Sequence, residues 1–112
     1  MSTLIIKYKS DTAGSFIEKN GEELRVKLVK ITSEVLNKRP EEIIVDMETW
    51  HNNINVPDLL VRAETSISRR SLLKEWAEKL HSEIKMMTEE HKPECGWKIA
   101  VKSYVIDSEW VE

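Results

Sequence analysis

Cysteine is nearly absent: Cys95 is the only one in 112 residues, so no internal disulfide can form. A reducing, cytoplasmic setting is the simplest reading of that usage. Glycine and proline are scarce, with three of each, and all six (Gly14, Gly21, Gly96, Pro40, Pro57, Pro93) read as punctuation between elements. Long apolar runs are missing, and none approaches the roughly 20 residues that a membrane-spanning helix needs. The opening MSTLIIKYKSD lacks the cationic start and the longer apolar stretch of a secretory signal. The net charge of -3 provides no basic field for a phosphate backbone, which argues against a nucleic-acid partner. What remains is a length suited to one domain, residues 1–112, with 40% hydrophobic and 33% charged residues, the balance of a globular protein.

The hydrophobic pattern reads strand, helix, strand over residues 3–50 and strand, helix, strand again over residues 58–111. The first strand is predicted at Leu4–Tyr8, followed by a small and polar loop, Ser10–Asn20. The first helix is predicted from about Gly21 to Lys38, with Leu24, Leu28, Ile31 and Val35 stacked on one face. Glu22 and Glu23 in its first turn, and Lys38 and Arg39 at its end, suit the helix dipole, and Pro40 stops it. Ile43–Trp50 and Leu59–Thr65 alternate with a period of two, as strands do. The segment His51–Pro57 connects them. Ser68 or Ser71 is placed to cap a second helix carrying Leu73, Trp76, Ala77, Leu80, Ile84 and Met87 on one side. After the turn Lys92–Gly96, the fourth strand is predicted at Trp97–Val105, ahead of a short acidic tail.

The expected fold is α+β: two βαβ units, a four-stranded mixed sheet and two helices on one face. The other sheet face carries Asp46, Glu48, Trp50, Leu60, Arg62, Glu64, Lys102 and Tyr104. Read plainly, this is a solvated face with charges paired across strands. Its Trp50, Leu60 and Tyr104 also make it a candidate assembly surface.

The order βαββαβ fits a ferredoxin-like domain that binds a partner through its open sheet. It also fits the tautomerase superfamily. Strand one starting at the N-terminus and the long connection between the halves favour the second. The ending Glu48-Thr49-Trp50 resembles the Asp-Thr-Trp ending of carboxymethyl-hydroxymuconate isomerases. Ser68-Arg69-Arg70-Ser71 is similar to the Gly-Arg-Ser turn that opens a helix in many members. The resemblance implies a homotrimer with pockets between subunits and no cofactor. It implies a small enolisable carboxylic acid as substrate, an N-terminal proline as base, and arginines that hold the carboxylate and stabilise the enolate.

The second residue here is Ser2, where the resemblance implies proline. If Met1 is removed, Ser2 offers a primary amine. An unperturbed α-amine titrates at about 7.7–8.0, and modest desolvation brings it into the range of a useful general base. If Met1 stays, its side chain lies across the pocket mouth. Ser2 is therefore the candidate catalytic residue, with Lys9, Trp50, Arg62 and Arg69 as candidate substrate-binding residues.

Each has a plainer reading. Arg62 can pair with Glu48 or Glu64 across strands, Arg69 can be an ordinary surface charge, and Trp50 can be a subunit contact rather than a pocket wall. Among the histidines, His51 is the best placed for proton transfer, but nothing in the sequence orients it and a solvated loop position is the better reading; His81 is expected on a helix flank. His91 and Cys95 lie four apart, but two ligands without a second pair make no zinc site, so no metal is expected. A non-catalytic oligomer that kept the fold and lost the base remains the alternative from another functional class.

Overall fold

The computed structural model describes residues 2–50, 55–94 and 96–106. The chain forms β1 (Ser2–Lys9), α1 (Gly14–Leu36), a 3-10 turn at Pro40–Glu42, β2 (Ile43–Trp50) and β3 (Leu59–Thr65). A second 3-10 turn (Ile67–Leu72), α2 (Leu73–His91) and β4 (Ile99–Val105) follow. The sheet order is β2-β1-β3-β4. β1 runs parallel to β2, β3 runs parallel to β4, and the central pair β1–β3 is antiparallel. Each half is thus a βαβ unit with its helix as the crossover, and the two units meet along the β1–β3 seam.

Alternation in the strands decides the core. Leu4 and Ile6 of β1 and Leu59, Val61 and Ala63 of β3 are fully buried beneath the helices. α1 contributes Phe16, Leu24, Leu28 and Leu36, and α2 contributes Trp76, Leu80, Ile84 and Met87. Two polar groups within this core satisfy each other: the Trp76 indole N–H donates to Thr32 Oγ1 at 2.9 Å, and the Thr32 hydroxyl donates to the Leu28 carbonyl at 2.8 Å. As expected, Met87 is buried while Met86 is exposed.

β2 and β3 occupy the expected ranges, and β1 is longer than expected because β2 pairs along its whole length. α1 departs from expectation. It begins at Gly14, so much of the expected loop Ser10–Asn20 is helical. Phe16 is the reason: it is fully buried and extends the stripe of Leu24 and Leu28 toward the N-terminus by two steps of four. Gly21 therefore lies inside the helix rather than at its start, close against Met47 of β2. The stripe runs on through Thr32 and Leu36, leaving Ile31 and Val35 partly buried at its flank. The helix ends before Pro40. Asn37 adopts a left-handed φ of 53° and its N–H caps Ser33 O, and Pro40 instead opens a 3-10 turn.

Neither Ser68 nor Ser71 caps α2. The segment Ile67–Leu72 is a 3-10 turn, Ser68 Oγ lies 2.9 Å from Ser66 Oγ, and α2 starts at Leu73 without a side-chain cap. β4 starts at Ile99 rather than at Trp97. Trp97 instead packs edge-on against Phe16, with ring centres 6.0 Å apart, and the left-handed Glu94 and Gly96 turn the chain toward it. His81 is half-buried, with Nε2 3.3 Å from Ile99 O, and so packs onto β4. His51, Cys95, Met1 and the acidic tail lie outside the described residues.

Candidate functional site

Ser2 begins β1 beside Ile43 of β2. Its side chain faces the core and is fully buried, with Oγ 3.0 Å from Thr65 Oγ1 at the end of β3. Beyond Thr65 the chain enters the 3-10 turn carrying Arg69 and Arg70. Arg69 Nε donates to Leu36 O at 2.9 Å, closing the C-terminal end of α1. Arg70 is exposed and makes no ion pair among the described residues. One end of the sheet therefore holds Ser2, Thr65 and the arginine turn.

Lys9 and Trp50 lie at the other end. Lys9 pairs with Trp50 in register, its N–H donates to Asp58 O at 3.0 Å, and its carbonyl accepts from Ala13 N at 2.9 Å. Seven strand steps separate Ser2 from Lys9, roughly 23 Å at about 3.3 Å per residue. Trp50 is half-buried; Lys7 Nζ sits 5.9 Å from its ring centre, and its buried Nε1 meets no acceptor among the described residues. Asp58, which sequence reasoning passed over, organises this end: it accepts from Thr12 Oγ1 and from Lys98 N, both at 2.8 Å.

Arg62 lies midway along β3 on the outer face. It is not a free cation. It donates from Nη2 to Tyr104 Oη at 2.7 Å, lies 3.6 Å from Glu64 Oε1, and stacks 5.7 Å from the Tyr104 ring centre. Of its two expected pairings, Glu64 is the one formed. Tyr104 in turn donates to Glu64. Burial first, and then the Glu64 carboxylate, push the Tyr104 phenol above its ordinary range. Sequence alternation placed Tyr104 on the outer face with Arg62 and Glu64, but its contact with them follows from the strand register, which pairs Glu64 with Tyr104 and Arg62 with Lys102; Thr65 entered only through its contact with Ser2.

A cavity of about 270 Å³ opens elsewhere, between the end of α2 and the start of β4, beside His81, Lys85, Glu89 and Trp97. No group of three metal-ligating side chains forms among the described residues, and no helix among them is long and apolar enough to cross a membrane.

No family model matches the chain, and no curated protein matches it in sequence. Structure finds what sequence does not. The fold matches a macrophage migration inhibitory factor-like protein from Entamoeba histolytica with a TM-score of 0.67 at 13% identity, covering 99% of this chain and 94% of that one. It matches the wild-type asymmetric trimer of a fused 4-OT with a TM-score of 0.70 at 14% identity, over 93% and 85% of the two chains. A member of the cis-3-chloroacrylic acid dehalogenase family gives 0.59 at 12% identity, over 98% and 79%. These neighbours are members of the tautomerase and macrophage migration inhibitory factor superfamily, and the chain has their fold.

Proposed function

We propose that the protein is a single-domain, cytoplasmic homotrimer that holds a small enolisable carboxylic acid in a pocket between subunits, at the Ser2 end of the sheet. It acts there as a keto–enol tautomerase, with the α-amine of Ser2 as base once Met1 is removed. The observation that carries this reading is the pinning of residue two. Ser2 Oγ is fixed to Thr65 Oγ1 at 3.0 Å in a fully buried position. Its backbone nitrogen is thereby held beside the entry to β2 and near the arginine turn. A fixed amine removes a proton from the carbon next to the substrate carbonyl, a nearby cation stabilises the enolate, and the proton returns at another atom. Arg70 is an exposed cation close to that end.

Distance supports the subunit-interface placement. Within one chain Lys9 and Trp50 are roughly 23 Å of strand away from Ser2, so they contribute to a Ser2 pocket only from a neighbouring copy. The fused 4-OT neighbour is itself a trimer.

A second reading, a binding oligomer without turnover, is favoured by a different observation. Arg62 and Arg69 already hold partners within the chain, Tyr104 with Glu64 and the Leu36 carbonyl.

Intact mass spectrometry reports whether Met1 is removed, and light scattering reports the assembly; a lone 13.1 kDa species overturns the trimer. Turnover of a 2-hydroxydienoate or of phenylpyruvate is then measured for the wild type and for Ser2→Pro. Activity in both, higher in the proline variant, supports the tautomerase. Activity only in Ser2→Pro supports the binding oligomer with an intact pocket. Two inert proteins rule out the enzyme.

A further inference from the structure

We infer that the cavity between the end of α2 and the start of β4 binds a small zwitterionic α-amino acid with an apolar side chain. Glu89 and Glu94 hold its ammonium, and Lys85 holds its carboxylate. This goes beyond the reading above and concerns the other end of the molecule. Ile99, in the cavity wall, pairs with Leu59, whereas Val105 pairs with Thr65, the partner of Ser2. Six strand steps separate the two ends, roughly 20 Å at about 3.3 Å per residue.

The charges carry the inference. Lys85 and Glu89 stand four apart on α2, a spacing at which opposite charges ordinarily pair. The same helix closes two such pairs, Lys74 with Glu78 at 3.9 Å and Lys79 with Glu75 at 3.2 Å. Lys85 and Glu89 stay open, and Glu94, in the turn that completes the cavity, also makes no ion pair among the described residues. Unpaired charges of both signs around one cavity suit a molecule that carries both signs. A plain carboxylic acid would be repelled by the two glutamates, and a plain amine by the lysine. His81 adds a neutral acceptor. Its Nε2 lies 3.3 Å from Ile99 O, and a carbonyl only accepts, so Nε2 carries the proton and Nδ1 keeps its lone pair.

The apolar wall is Trp97. It is half-buried and packs edge-on against Phe16, with ring centres 6.0 Å apart, so the indole is oriented before a ligand arrives. Gly96 beside it has a left-handed φ of 67°, and nothing lies within 4 Å of where its side chain would begin, which leaves the mouth open. The cavity of about 270 Å³ is just under the roughly 300 Å³ at which pockets for drug-sized ligands begin. It therefore suits one amino acid rather than a peptide. An indole wall favours an aromatic side chain, which stacks on it in an offset or edge-on arrangement.

The test is a ¹H–¹⁵N NMR titration of the intact protein, read at the Trp97 indole N–H. The probes are L-phenylalanine, 3-phenylpropionate, which lacks the ammonium, and phenethylamine, which lacks the carboxylate. Saturable shifts are expected with phenylalanine, and each analogue should bind about five-fold more weakly or worse, the loss of one partly exposed charge-assisted contact. Lys85→Gln, a change at an exposed position, should weaken phenylalanine by a similar factor and leave phenethylamine as tight as before or tighter. A merely structural lysine would weaken both ligands alike. No saturable shift with phenylalanine, an analogue that matches it, or an unchanged phenylalanine titration in Lys85→Gln overturns the assignment. Turnover at Ser2 does not enter the measurement, so its failure is distinct from a failure of the tautomerase reading.

Discussion

The indole nitrogen of Trp76, at the centre of the core, donates to the hydroxyl of Thr32 one helix away, at 2.9 Å, and both residues are fully buried. The largest side chain of the interior thus depends on one threonine for its only polar atom. Thr32→Val keeps the shape and removes the acceptor, leaving a buried N–H without a partner. The expected cost is about 1–3 kcal/mol in urea denaturation. In a Trp76→Phe background, where no N–H needs an acceptor, the same substitution should cost distinctly less. Equal costs in the two backgrounds would show that the hydrogen bond contributes nothing.

Gly21 is a stabilisation site. It lies within α1, outside the left-handed region. A methyl group added there would sit 3.4 Å from Ile17 Cγ2 and 3.6 Å from Met47 Sδ, which is ordinary packing distance. Glycine inside a helix costs about 1 kcal/mol relative to alanine. Gly21→Ala should therefore raise the melting temperature by about 4 °C or more for a domain of this size. A lower melting temperature would mean that Met47 cannot accommodate the methyl group.

Tyr104 sets an alkaline limit on stability. Its phenol is raised in the folded chain, by burial and then by the Glu64 carboxylate. The folded protein thus holds this proton more tightly than the unfolded chain does. The contribution is fully present below the unfolded value of about 10 and is lost as pH rises through the higher folded value. Urea midpoints measured from pH 8 to 11.5 should fall more steeply for the wild type than for Tyr104→Phe. Absorbance of the phenolate near 295 nm should show one tyrosine titrating late. Parallel curves for the two proteins would remove Tyr104 as the cause.

Strands were more legible in the sequence than helix ends, for a physical reason. β2 and β3 each alternate with a clean period of two, and a proline or a polar segment bounds them. The start of α1 offers no such boundary. Phe16 belongs to the buried stripe, but the next position four residues on is Asn20, and that polar step hid the helix among loop residues. The serines before α2 suggested a cap, yet a 3-10 turn leads into the helix and needs none.

The candidate site was legible only where its contacts are local. Arg62 and Glu64 are two apart on one strand, so alternation puts them on one face, and Glu64 was one of the two partners that the sequence offered for Arg62. The burial of Ser2 depends on Thr65, 63 positions away. The grip of Tyr104 on Arg62 and the neighbourhood of Lys102 depend on the pairing of β3 with β4. Such contacts arise from register, which a single strand's pattern does not specify.

The antiparallel seam also governs how this chain emerges from synthesis. β1 leaves the ribosome first, yet its partners are β2 and β3, and the seam closes only once Thr65 has followed. Until then Leu4-Ile5-Ile6 is an apolar segment whose β3-facing hydrogen-bonding edge is open, the kind of surface that nascent chains share with aggregates. Lys7 and Lys9, which border it, act as charged gatekeepers during that interval.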